Sequence, residues 1–162
     1  MEIRPATEND ADQIAAIWNH YIRDTIATFN PVEKSSDEIK QMLDEKRANA
    51  EPFCVATISD TVAGFATYGA FRGGEGYRFV KEHTIQLRPE MQGRGLGRML
   101  MDAIEAHVKS NDIQSLFAGI SAENEAAVKF HSAIGFQHVG KLERVGWKFD
   151  RWHDLILMRK EM

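Results

Sequence analysis

Gly93, Gly95 and Gly97 stand at alternate positions in a segment that also holds Arg88, Arg94 and Arg98. The segment joins a strand-like run to a helical one, which brings successive backbone N–H groups to a helix N-terminus. Such a place binds anionic oxygens through hydrogen bonds and the positive end of the helix dipole. Side chains would hinder that approach, hence the glycines, and the guanidinium groups add charge matched to phosphate. Two familiar nucleotide loops are excluded by spacing. Read from Gly93, the last glycine of a G-x-G-x-x-G fingerprint falls on Arg98, and read from Gly95 it falls on Leu100. A P-loop needs Lys and then Ser or Thr after its final glycine, where this chain has Arg98 and Met99.

The elements that position this loop follow from periodicity. Ile14, Ile17, Trp18, Tyr21 and Ile22 lie on one face of a helix, behind a capping box begun by Thr7. Ser35 and Glu38 open a shorter helix carrying Ile39, Met42 and Leu43. Two strand-like runs, 53–58 and 62–71, flank a turn at 59–61, and a glycine-rich loop occupies 72–76. A strand over 82–87 leads into the glycine segment. A helix follows from Leu96 to about Asn111, then a strand over 115–120 and a helix over 124–134 stopped by Gly135. Residues 136–159 supply two more strands around a turn at 148–151. This order predicts one α/β (α+β) domain over residues 1–162, with a mixed sheet and helices packed on it.

Composition narrows the function. The 162 residues carry 20 basic and 24 acidic side chains, a formal net charge of -4, which argues against a nucleic-acid partner. Cys54 is the only cysteine, so neither a disulfide framework nor a multi-cysteine metal site is available, and no metal is expected. No apolar stretch approaches the roughly 20 residues of a membrane span. The N-terminus lacks a secretory pattern, so a cytoplasmic location is expected.

The segment Gln92-Gly93-Arg94-Gly95-Leu96-Gly97 fits the Q/R-x-x-G-x-G/A signature of the GNAT acetyltransferases. Residues Asn124 to Phe136 resemble the superfamily's N-x-x-A-x-x-(F/L)-Y-x-x-x-G-F segment, with His131 in the tyrosine slot. Histidine there, together with Thr67–Arg72, Glu82-His83-Thr84 and Gly146–Asp154, resembles the phosphinothricin and methionine sulfoximine acetyltransferase branch. The likeness covers nearly the whole chain. Gln86 departs from it, standing where the branch carries a tyrosine.

The resemblance implies a GNAT fold, with a mostly antiparallel twisted sheet, and acetyl-CoA as acetyl donor. Residues Gln92, Gly93, Arg94, Gly95, Leu96, Gly97 and Arg98 would then hold the pyrophosphate. The backbone of Ile85, Gln86 and Leu87 would pair with the pantetheine arm, Asn124 would bond to it, and Ala133 would line it. An amine acceptor is mostly ammonium at neutral pH, so a base is needed. The resemblance assigns that role to Glu82, with His131 as proton donor to the thiolate or partner of the base. His83 falls on the opposite face of the strand and is expected to support. Arg72, Gly73, Gly74, Glu82, His83 and Thr84 would form the acceptor wall, with Arg72 clamping a carboxylate. Trp147, Lys148, Trp152 and His153 would close the pocket or serve a partner's. The expected acceptor is a small amino acid analogue and the expected assembly a homodimer. A protein N-terminus or a polyamine as acceptor, or a non-catalytic acetyl-CoA sensor, are the alternatives.

Overall fold

The computed structural model describes residues 1–162. Its strands are β1 (Glu2–Pro5), β2 (Phe53–Ile58), β3 (Thr61–Ala70), β4 (Val80–Leu87), β5 (Ser115–Ser121), β6 (Gln137–Lys148) and β7 (Arg151–Glu161). Its helices are α1 (Ala11–Asp24), α2 (Ser36–Ala48), α3 (Leu96–Ser110) and α4 (Glu125–Ala133). The strands form one sheet in the order β1-β2-β3-β4-β5-β7-β6, and only β4 and β5 run parallel. They are joined through α3, as a parallel pair requires.

The expected elements are present, with one addition. Strand β1 is too short to show a period, and it forms because the outer edge of β2 is open to it over Cys54–Thr57. From β1, Arg4 reaches both oxygens of Asp10 at 2.8 Å, while the Thr7 N–H donates to the same carboxylate at 2.8 Å. The capping box at Thr7 thus closes a 3-10 turn, and α1 begins behind it at Ala11. The 59–61 turn contracts to Ser59 and Asp60, both at positive φ (47° and 66°). Such backbone matches the strand twist of a two-residue hairpin.

Helices cover both faces of the sheet. Leu96, Leu100, Ile104 and Val108 of α3 are fully buried, joining Ala66, Leu116, Ala118 and Met158 in the larger core. Each of the buried Leu, Ile, Val and Met side chains contributes roughly 1.5–3 kcal/mol. On the other face, Ile14 and Ile17 of α1 and Ile39 and Leu43 of α2 pack on Val55, Val62 and Phe65. The α1 and α2 layer packs on β2 and β3, and α3 packs on the opposite face. The site lies between the two central strands.

Candidate active site

Strands β4 and β5 share only three pairs, ending at Glu82 opposite Phe117. Each is secured on its outer side, β4 by β3 from Lys81 to Leu87 and β5 by β7 from Ser115 to Ser121. Beyond Glu82 their inner edges part. A cavity of about 790 Å³ opens there, bounded also by α3, α4 and the chain after α1. That volume suits a cofactor-sized ligand. Three buried side-chain atoms have no hydrogen-bond partner: His83 Nδ1, Gln86 Oε1 and Ser121 Oγ. All three belong to residues that line this cavity. Leaving such groups unpaired is costly, so their confinement to one cleft marks it as built for a polar ligand.

Strand alternation divides the cleft. On the α1 side lie Glu82, Thr84 and Gln86, facing Gly119 and Ser121. A Cβ at Gly119 would fall 2.7 Å from Glu82 Oε1, so this glycine leaves room for the carboxylate. Burial pushes the Glu82 carboxyl above its usual range, and no neighbouring cation opposes that shift. A carboxylate of raised basicity at the point where the strands separate is equipped to take a proton.

On the α4 side, His83 stacks on His131 with ring centroids 5.0 Å apart, and their Nε2 atoms are 3.2 Å apart. His131 Nδ1 lies 2.7 Å from the Ala127 carbonyl oxygen, which can only accept, so Nδ1 carries the proton. In the neutral pair His131 Nε2 then accepts from His83 Nε2–H, and His83 Nδ1 keeps its lone pair. Burial pushes His83 down to about 3 and His131 below its usual value, so the pair is uncharged at neutral pH. The opposite-face position expected of His83 is what the strand provides. Its direct bond to His131 across 48 residues was not foreseen.

The glycine segment lies at the start of α3. Gly95 is the N-cap of that helix at φ 81°, and no atom lies within 4 Å of a Cβ placed at Gly93 or Gly95. Gly97 instead touches a neighbour: a Cβ there would meet Phe130 of α4 at 3.2 Å. Gln92 lines the cavity and donates to the Tyr21 hydroxyl at 3.1 Å, which in turn donates to the Leu87 carbonyl at 2.5 Å. Arg98 also lines it and donates to the Ala133 carbonyl at 3.1 Å. Asn124 caps α4 through its side-chain oxygen, accepting from Ala127 N–H at 3.1 Å. An anionic ligand fits this helix start, and the flanking groups suit a longer arm lying between the strands.

Not every expected residue arrives. Arg94 is exposed and outside the lining, and the Leu96 side chain is in the core, leaving only its backbone at the helix start. Arg72, Gly73 and Gly74 are exposed and do not line the cavity; the Arg72 guanidinium lies 5.8 Å from the Tyr77 ring centroid. Conversely, the wall formed by Ala27, Thr28, Phe29, Asn30 and Lys34 was not anticipated. Trp18 and Tyr21 were legible as an apolar helix face, but periodicity does not separate cavity wall from core.

Residues 3–157 match the acetyltransferase (GNAT) domain family, and the chain belongs to it. Acetyl-CoA is the acetyl donor, and the protein is an N-acetyltransferase, as expected from the glycine segment and the residues around it. Among curated relatives, the L-amino acid N-acyltransferase MnaT of Escherichia coli is 31% identical, aligned over 100% of this chain and 94% of its own length. The L-methionine sulfoximine/L-methionine sulfone acetyltransferase of Salmonella typhimurium is 30% identical, over 100% and 95%. A ribosomal-protein-alanine N-acetyltransferase structure from Brucella melitensis has TM-score 0.97 and 34% identity, covering 100% of both chains. A phosphinothricin acetyltransferase from Sinorhizobium meliloti, solved in complex with acetyl-CoA, has TM-score 0.94 and 27% identity, covering 99% and 88%.

Proposed function

We propose that this enzyme acetylates the α-amine of a small amino acid analogue, such as methionine sulfoximine, methionine sulfone or phosphinothricin. The observation that carries the reading is Glu82, a carboxyl made more basic by burial at the point where β4 and β5 part. The donor supplies an activated thioester. Residues Gln92, Gly93, Gly95, Gly97 and Arg98 would hold its phosphates, and the open edge of β4 at Ile85–Leu87 would pair with its arm, one N–H polarising the thioester oxygen. Glu82 takes the proton from the acceptor's ammonium, directly or through water, on the α1 side of the cleft. The histidine pair borders the cleft on the α4 side. His131 has both ring nitrogens engaged, so it acts there through His83, whose Nδ1 is the pair's open atom. The freed amine would attack the thioester carbonyl, its C–N bond forming and the C–S bond breaking. The second amine proton would pass to solvent and the departing thiolate would take one from solvent, since the neutral pair offers a lone pair rather than a stored proton.

The names of the relatives in Escherichia coli and Salmonella typhimurium support an amino acid acceptor. The Brucella melitensis structure favours a second reading, acetylation of a protein N-terminus. Thiol release from acetyl-CoA, measured against methionine sulfone, methionine sulfoximine, phosphinothricin, spermidine and an alanine-initiated peptide, separates the two. The free amino acid analogues are expected to lead in kcat/KM; a faster peptide replaces this reading with the second.

The proposal extends to a cytoplasmic homodimer that binds neither nucleic acid nor membrane. No helix is long and apolar enough to cross a membrane. Val139, Leu142, Val145, Trp147, Phe149 and Trp152 leave an apolar surface on β6, β7 and their turn. Sedimentation velocity reads the assembly directly.

A further inference from the structure

Three formally charged side chains line the cavity: Lys34, Glu82 and Arg98. Arg98 belongs to the first turn of α3, on the donor's phosphate side, and is tied to the Ala133 carbonyl. That leaves one acid and one cation for the other half. Glu82 faces the α1 side, and Lys34 sits there too, its ammonium 4.9 Å from the ring centroid of Trp18, which packs on Phe65 beside Gln86. The lysine is held in place: the Asn19 side chain accepts from Lys34 N–H and donates to its carbonyl, both at 2.8 Å. Carboxylates near it in sequence bond elsewhere, Glu33 with Arg23 at 2.9 Å and Glu38 with the Ser35 N–H at 2.7 Å. The Ser35 bonds, and to a lesser degree the Lys34 charge, hold the Glu38 carboxyl below its usual value. On the same side, Gln86 Oε1 and Ser121 Oγ are buried without partners.

We infer that Lys34 determines acceptor specificity by pairing with an anionic group, the carboxylate, of an acceptor whose amine faces Glu82. This inference deepens the amino acid reading and rests on it. A zwitterion matches a wall carrying one acid and one cation. A polyamine would place a second positive charge against Lys34, and a protein N-terminus carries no carboxylate next to its amine. The cation expected at Arg72 is thereby found on another loop, inside the cavity rather than outside it.

The test compares L-methionine sulfone with its carboxamide at saturating acetyl-CoA, in the unaltered enzyme, Lys34→Met and Lys34→Arg. Methionine keeps an unbranched chain over Trp18 while removing the charge. The ratio of kcat/KM for carboxylate over carboxamide is expected to fall tenfold or more in Lys34→Met, on the order of one charge-assisted hydrogen bond. The loss should lie in the KM of the carboxylate, with the KM of acetyl-CoA unmoved, and Lys34→Arg should restore most of the ratio. An equal ratio in all three proteins overturns the role of Lys34 and leaves the amino acid reading standing. Failure of the unaltered enzyme to acetylate any free amino acid analogue, with a C-terminally amidated alanine-initiated peptide still acetylated, overturns both.

Discussion

Glu82 is held in a state that works against the fold. Its carboxyl is half-buried and unpaired, so ionising it costs folding free energy that an exposed glutamate would not lose. With a folded pKa above the unfolded one, the penalty is absent below about pH 4.3, grows as pH rises, and is complete above the folded pKa. Glu82→Gln should therefore melt higher than the unaltered enzyme at pH 8 and lose that advantage near pH 4. Its kcat/KM should fall about 100-fold or more, and the acidic limb of the pH profile should disappear. Calorimetry across pH, with thiol-release kinetics, reads both; a melting difference that ignores pH would mean Glu82 is not desolvated. Glutamate and histidine types were readable from the sequence at positions 82, 83 and 131. Their relations were not, because the His83–His131 bond depends on how α4 packs against β4.

The chain between α1 and α2 is the element that sequence reasoning left blank. Residues 25–35 have no regular structure, yet they wall the acceptor side of the cavity. They are held from the far end of the chain. Lys148 Nζ donates to the carbonyls of Thr25 at 2.5 Å, Thr28 at 2.8 Å and Tyr21 at 3.3 Å. Phe29 fills the space above Gly146, where a Cβ would come within 2.1 Å of the ring, and stacks on His153 at 5.5 Å. His153 is fixed in turn by the Lys148 carbonyl at 2.9 Å and Glu123 at 2.7 Å. Lys148→Met would strand buried carbonyls at a cost of about 2 kcal/mol or more, lowering the melting point by roughly 4–8 °C. The acceptor's KM should rise while that of acetyl-CoA holds; a rise confined to acetyl-CoA would separate this wall from acceptor binding. The helices and the glycine segment were legible because their signals are local. This wall was not, since the Lys148 bonds that hold it join residues 120 or more positions apart.

At the scale of the molecule, the proposed donor and acceptor halves meet across one sheet, with the start of α3 on one side and the α1 wall on the other. The order of elements revealed that sheet; the three-pair ladder between β4 and β5 did not show in any periodicity, because both strands keep the pattern of paired ones. Apolar surface on β6 and β7 is the candidate contact of the proposed homodimer. The parted strands carry a further consequence. The sheet lacks a strand's worth of bonding at its centre, and the proposed place of the donor's arm is in that gap, so donor binding and folding would share one free-energy balance. At 100 times its dissociation constant, acetyl-CoA should add about 2.7 kcal/mol of stability. Melting temperature and resistance to proteolysis are expected to climb with acetyl-CoA concentration, and a flat response would deny that the folded protein binds the donor. An enzyme saturated with donor is then expected to unfold less often than the empty one and to be cut more slowly by proteases.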